Sequence, residues 1–285
     1  MKAKLGIAPI AWWNDDLAEL SDDVSLEECL RQASVAGFTG METGRRFPMN
    51  MGELGPNLAR YGISVCGGWF SGLLLDGDIE REKDRVRAQM DFFIAAKAPC
   101  IVYGETARSI QGVRSAPLAT KPKLSEDEIK AYGRKMTPFA EWCAGVGMPI
   151  SYHHHMAAAI ETEPELDLLM ANSGEALPLL FDAGHMAFAG GDVLRVIDKH
   201  HKRISHVHTK TSAAASSTSW IGRGRASWTL SSRGPLQCPA TARSTSPPSS
   251  DGWPPMAMRA GSWSRPSRIR RSIHRSKWPR KVIWS

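Results

Sequence analysis

The chain has 285 residues, enough for one barrel-sized domain or two small ones. Its hydrophobic content of 42% is ordinary for a soluble globular protein, no stretch approaches the roughly 18 apolar residues of a membrane span, and Met1–Lys4 lead straight into a strand-like segment with no apolar signal-peptide core. The net charge of +7 invites a nucleic-acid reading, but residues 211–285 hold 13 of the 36 basic residues and only one acid, Asp251, which leaves residues 1–210 with 23 bases, 28 acids and a net charge of −5.

Residues 1–210 alternate strand-like and helix-like segments. Leu5–Ile10 is a short apolar run. Ser25-Leu26-Glu27-Glu28 is a capping box that opens a helix ending near Gly37. Gly40–Glu42 predicts a short strand, Leu54–Tyr61 a helix, and Ile63–Cys66 a second short strand. Ile79–Ala96 is charged and amphipathic, a long helix, and Cys100–Tyr103 is the next strand. A loop over about Gly104–Leu124 precedes a second capping box, Ser125–Glu128, and a helix that Gly145 and Gly147 close. Pro149–Tyr152 is a strand that runs into three histidines. Pro164–Asn172 is helical, Pro178–Phe181 is a strand ending in Asp182, Asp192–His200 is a short helix, and Ile204–Val207 is a strand ending in His208.

These are seven βα-like units of about 30 residues, which predicts a parallel sheet and, with so many units, a closed (β/α)8 barrel. An open doubly wound sheet would want a glycine-rich phosphate loop after the first strand. The sequence there is Ala11-Trp12-Trp13-Asn14-Asp15, without a glycine. Polar residues gather just beyond the strand ends: Glu42, Glu105, His153–His155, Asp182 with His185, and His206 with His208. Barrels keep their active sites at that end. The five cysteines (Cys29, Cys66, Cys100, Cys143, Cys238) are scattered and form no CxxC pair, which points to reduced thiols and a cytoplasmic location.

After Lys210 the composition changes abruptly. Residues 211–285 are rich in Ser, Arg and Pro, and hold six of the ten tryptophans. No amphipathic period survives, and no eighth strand is legible. A basic disordered arm fits the Ser, Pro and Arg content but not the tryptophans. A frameshift fits both. Thr211–Ser219 can be written ACG TCC GCC GCC GCA TCG TCG ACC TCG. One restored G turns this into Asp-Val-Arg-Arg-Arg-Ile-Val-Asp-Leu, and Met256–Arg271 can likewise yield a Trp-Phe-Val-Val strand followed by carboxylates. The organisation expected is therefore one barrel domain over 1–210, with its last one to two βα units disrupted, and a non-native, disordered tail over 211–285.

The chemistry-bearing residues follow from strand alternation. In Tyr152-His153-His154-His155-Met156, His153 and His155 share one face and His154 takes the other. Imidazoles at a strand end suit a borderline divalent ion, the alternative being a His-rich surface loop. Asp182 offers a hard carboxylate ligand or a helix N-cap. In His206-Val207-His208-Thr209-Lys210, both histidines and Lys210 fall on one face. Glu42 could be an acid, a base or a polar wall, or form a surface salt bridge. Trp12, Trp13 and Trp69 are pocket walls or core; Trp142, in a helix, packs against apolar neighbours.

Taken together, Gly6–Trp12, Gly40–Gly44, Tyr152–Met156, Phe181–His185 and Ser205–Lys210 resemble the inosose dehydratases, a branch of the xylose-isomerase-like barrel superfamily. The resemblance covers Met1–Lys210 nearly continuously. It implies a Mn2+- or Co2+-dependent lyase of inositol catabolism that eliminates water from the keto-inositol scyllo-inosose to give a trihydroxycyclohexane-dione. Relatives in the superfamily hold their metal with Glu, Asp, His and Glu. Asp182 and His208 match the second and third ligands. The first falls at His153, a departure that leaves His153 or His155 open as ligand, and the last falls in the tail around Ser264–Arg265. His155, Lys210 and Glu42 are the candidates for proton transfer and substrate positioning, and Trp12, Trp69, His185 and His206 for substrate binding. The implied partner is a small keto-inositol, with no nucleic acid or membrane; a homo-oligomer is compatible. The rival readings are a sugar isomerase or epimerase on the same barrel, an abasic-site endonuclease, which the acidic body disfavours, and an inactive truncated relative whose open barrel exposes two sheet edges.

Overall fold

The structure, a computed structural model, describes residues 4–15, 23–113 and 115–210, and the backbone of 282–284. Eight parallel strands close in sequence order into a barrel. They are β1 (Lys4–Ile7), β2 (Gly40–Thr43), β3 (Ser64–Gly72), β4 (Ile101–Glu105), β5 (Ile150–His153), β6 (Leu179–Asp182), β7 (Ile204–His208) and β8 (Val282–Trp284). Around them lie α1 (Leu26–Val35), α2 (Met51–Tyr61), α3 (Ile79–Ala95), α4 (Glu126–Gly145), α5 (Glu163–Ala171), α6 (Ala183–Phe188) and α7 (Val193–His200). Among the described residues no helix is long and apolar enough to cross a membrane.

The helices begin where their caps dictate. Ser25 Oγ accepts the Glu28 N–H, and Ser125 and Glu128 complete a reciprocal capping box. Gly37 (φ 89°) and Gly147 (φ 87°) supply the left-handed turns that follow α1 and α4. The helices bury one face each, with Leu30, Leu54, Val86, Phe93, Phe139, Leu166 and Val196 forming a continuous layer against the sheet. β2, β4, β5 and β6 are buried along their full length, because a parallel sheet inside a helical ring has no wet face. The four described cysteines are buried in this interior.

Two features differ from the sequence expectation. β3 runs on to Gly72 instead of ending at Cys66, and carries Trp69 to the upper half of the barrel. The eighth position is also filled: Val282–Trp284 pairs in parallel with β1 (Lys4↔Val282) and with β7 (His208↔Trp284). The expected open edges at β1 and β7 are therefore paired. Backbone groups in register suffice for the short ladder, because a sheet edge accepts any strand that offers them. The stretch 256–271, read as the source of the eighth strand, lies outside the described residues, as do Cys238 and the rest of 211–281.

Charged side chains fix the rim. Lys135 Nζ donates to the carbonyls of Leu74, Leu75 and Gly77, while Glu82 and Glu105 accept the N–H groups of Leu73 and Leu75. Glu105 also accepts from Tyr132 Oη, so its carboxylate faces the helical layer and not the barrel axis. On α5, Glu165 accepts the N–H groups of Glu161 and Thr162 at 2.9 and 2.8 Å and pairs with Lys121 at 2.9 Å. Burial pushes this carboxyl up, but those donors outweigh it and hold its pKa below the ordinary value. A depressed carboxyl pKa stabilises the fold above the unfolded-state value and loses that contribution as pH falls through the folded one. Glu165→Gln is expected to cost about 1–2 kcal/mol at pH 7, with the difference from wild type closing below about pH 4; urea melts across that range measure both.

Candidate metal centre

The C-terminal ends of β2, β5, β6 and β7 bring six ionisable side chains to one point. Asp182 has no solvent exposure. Its Oδ2 lies 2.6 Å from Lys210 Nζ, 3.5 Å from His208 Nδ1, and 3.7 Å from both His153 Nε2 and His185 Nε2. Lys210 pairs with it closely while the imidazole nitrogens stand 3.5 to 3.7 Å away, so a buried carboxylate oxygen faces a ring of nitrogen atoms. Burial pushes Asp182 up, yet the Lys210 ammonium and the protonated His208 beside it hold it well below the usual carboxylate range. The other oxygen, Oδ1, accepts the His185 N–H at 2.8 Å and so caps α6. Asp182 thus combines the N-cap and the site carboxylate that the sequence offered as alternatives.

The histidines around it are orientated from outside the site. His153 Nδ1 contacts the His154 carbonyl at 2.6 Å and His155 Nδ1 the Met156 carbonyl at 2.8 Å. A carbonyl only accepts, so both rings carry the proton on Nδ1 and leave Nε2 as a lone pair. His154, on the opposite face, accepts the Asp182 N–H with its own Nε2 at 3.2 Å, tying β5 to β6 beneath the site. Burial lowers His153 and His185, and takes His155 to about 4, so these rings are neutral at neutral pH.

His208 differs. Its Nε2 meets Glu42 Oε1 at 2.8 Å and its Nδ1 faces His153 Nε2 at 3.2 Å. Burial lowers its pKa, but Glu42 and Asp182 overcome that and raise it to about 9. Glu42 also accepts from His206 Nε2 at 3.1 Å, and His206 Nδ1 lies 3.6 Å from Cys100 Sγ. Burial pushes Glu42 up; His208 and His206 outweigh it and keep it well below the carboxylate range. A carboxylate on the outer nitrogen of a histidine fixes the ring and leaves the inner nitrogen to face the site.

A cavity of about 170 Å³ opens above this cluster, lined by Ile7–Ala11, Asp15, Glu42, Thr43, Trp69, Gln111, His153, His155, His208, Thr209 and Lys210. Of the residues singled out by sequence, Glu42, Trp69, His153, His155, His208 and Lys210 line it, with Asp182 directly beneath. Three do not. Trp12 turns away and its indole N–H donates to Gln32 at 2.8 Å. His185 sits behind the wall, its ring 3.9 Å from that of His155 and its Nε2 2.9 Å from Lys210 Nζ. His206 is 1% exposed and lies below Glu42, because it is two residues deeper in β7 than His208. Trp13 is core, and Trp142 packs on Phe139. Sequence reasoning missed Gln111 and Asp15, which loops deliver to the cavity and which carry no periodic signal.

The donors fit a divalent cation. His153, Asp182 and His208 each offer an atom within 4.8 Å of the others, two imidazole nitrogens and one carboxylate oxygen, the mixture a borderline divalent ion takes. Glu42, His206 and His208 form a second such group, but hydrogen bonds already join its members.

Fold and centre together define a xylose-isomerase-like barrel. The solved structures it resembles include the probable 3-DHS dehydratase AsbF of Bacillus anthracis (TM-score 0.56, 18% identity, 75% of each chain) and the IolI protein with a bound zinc atom (TM-score 0.52, 13% identity, 73% of each chain), likenesses that concern the fold alone. No family model matches the chain. Among curated proteins, it is 39% identical to the inosose dehydratase of Geobacillus thermodenitrificans over 211 residues, which is 73% of this chain and 71% of that protein. It is also 39% identical over 210 residues to the rhizopine catabolism protein MocC of Rhizobium meliloti, covering 74% of this chain but only 65% of the relative. The chain belongs to the inosose dehydratase family.

Glu42→Gln keeps the size of the side chain but removes the charge that orientates His208. It is expected to weaken divalent-cation binding by roughly 10- to 100-fold, read by isothermal titration of Mn2+ or Zn2+ into wild type and variant.

Proposed function

We propose that the chain is built to eliminate water from a keto-inositol, scyllo-inosose, giving a trihydroxycyclohexane-dione, with Mn2+ or Co2+ as its metal. The observation that carries this reading is the convergence of His153, Asp182 and His208 under a cavity that also presents an unengaged imidazole and an ammonium group, in a chain of this family. When bound, a divalent ion supplies Lewis acidity, which makes the carbon-bound hydrogen beside a ketone easier to remove.

The residues of the chain divide the remaining work. His155 Nε2 faces the cavity with no hydrogen-bond partner among the described residues, and its Nδ1–H is committed to Met156. It is a neutral base whose tautomer is already correct for accepting the proton from carbon. Lys210 Nζ reaches the cavity while held between Asp182 and His185, and its proton is placed to assist departure of the β-hydroxyl. Glu42 holds the His208 ring in place. Trp69 offers an apolar wall to the axial C–H bonds of a ring whose hydroxyls are equatorial.

The tail belongs to the same proposal. Residues 211–285 are read as the product of a lost base after the Lys210 codon, and the complete enzyme takes its last metal ligand from the restored frame. Supporting this, the composition breaks at that codon, and the similarity to MocC spans 210 residues. Sequencing the gene across the codons for His208 to Ser216 is expected to show an additional G; the same bases on repeated reads would confine the activity to an ancestor of this chain.

In the frame-restored protein, Asp182→Ala is expected to abolish both bound metal and turnover. Retained activity with metal still bound would remove Asp182 from the centre. Product analysis separates the main rival, since elimination forms a dione with loss of one water and an isomerase or epimerase conserves mass.

A further inference from the structure

Gln111 belongs to none of the strand-end motifs, yet it lines the cavity while only 9% of the residue is exposed. It arrives there on the loop that follows β4, and that loop is pinned along its whole approach. Thr106 donates to the Gly72 carbonyl through both its N–H (2.8 Å) and its hydroxyl (2.9 Å). Arg108 holds the left-handed region without being glycine (φ 60°), a conformation disfavoured for any residue with a Cβ. Its guanidinium grips both oxygens of Asp76 at 3.0 Å through Nε and reaches Glu128 at 3.2 Å. Ile110 N–H donates to the Ala157 carbonyl at 3.1 Å, and Ala157 is itself left-handed (φ 64°) and buried in the loop after β5.

The last contacts orientate Gln111. Its backbone N–H donates to Ser109 Oγ at 3.2 Å. The Ser109 hydroxyl lies within donating distance of the Ala157 carbonyl (3.2 Å) and of Gln111 Oε1 (3.3 Å). Gln111 Nε2 has no hydrogen-bond partner among the described residues. Of the other polar groups of the cavity, Glu42, His208 and Lys210 are engaged with one another's neighbours, Asp15 accepts the Arg45 N–H, and His155 offers only a lone pair. Thr43 turns its hydroxyl against Gly68, and Thr209 has a partner of its own. A polyol ring brings hydroxyl oxygens that accept hydrogen bonds, and the Gln111 amide has a donor to offer them.

We propose that Gln111 is a specificity-determining residue that donates from Nε2 to one ring hydroxyl of the bound keto-inositol, and that the pinned loop after β4 exists to hold that donor still. The assignment rests on the reading of the site given above. It makes Gln111 the part of the cavity that tells one ring stereoisomer from another, while the His153, Asp182 and His208 cluster handles the reacting end.

The test is calorimetric titration of scyllo-inosose, and of its mono-deoxy analogues, into the full chain with Mn2+ present. Wild type, Gln111→Ala and the nearly isosteric Gln111→Glu are compared, with a thermal melt by circular dichroism to show that each is folded. Both variants are expected to bind scyllo-inosose about three- to tenfold more weakly. The deficit should disappear against the one analogue that lacks the hydroxyl Gln111 reads. Wild-type affinity in folded Gln111→Ala and Gln111→Glu, or an equal deficit against every analogue, overturns the assignment while leaving the site reading intact. Failure of both the wild-type chain and the frame-restored protein to bind any of these ligands overturns the site reading and this assignment with it.

Discussion

Asp182 carries a negative charge at a point with no access to water, and the upper end of the barrel is arranged around that charge. A buried carboxylate is costly unless it is paired and hydrogen-bonded. One oxygen is satisfied locally, by the first turn of α6. The other is left to the nitrogens of Lys210, His208, His153 and His185, contributed by β7, β5 and α6. Those groups can only meet there because a closed parallel barrel brings all its strand C-termini to one face.

The arrangement is set from the outside inwards. Carbonyls of the loop after β5 choose the tautomers of His153 and His155, and Glu42 chooses the orientation of His208. Behind Glu42, His206 and Cys100 continue the chain of contacts into the barrel interior. Each group facing the cavity therefore has its outer atoms committed, which is how a site keeps its geometry in the absence of a ligand. His154, which points away from the cavity, belongs to the same scheme, since it secures the backbone of Asp182 itself.

Solved structures at 12–18% identity share this barrel fold under several activities, from a probable dehydratase to sugar phosphate isomerase/epimerases. The fold alone does not choose among them. The choice lies in the strand-end residues, which here bring His153, Asp182 and His208 within reach of one another.

Much of this was legible in the sequence. Capping boxes at Ser25 and Ser125 and the glycines after α1 and α4 are local signals, and the structure starts and ends those helices accordingly. The period of two in His153/His155 and His206/His208 placed each pair on one face of its strand, because alternation is a property of the backbone. The sequence could not say how deep along a strand each residue sits. That depth put His208 at the cavity and His206 beneath it, and it is fixed by the stagger between neighbouring strands. Nor could the sequence show that Trp12 turns to Gln32, that Gln111 comes in from a pinned loop, or that Val282–Trp284 pairs with both β1 and β7. Those outcomes depend on contacts between residues far apart in the chain, and only closure of the barrel brings them together.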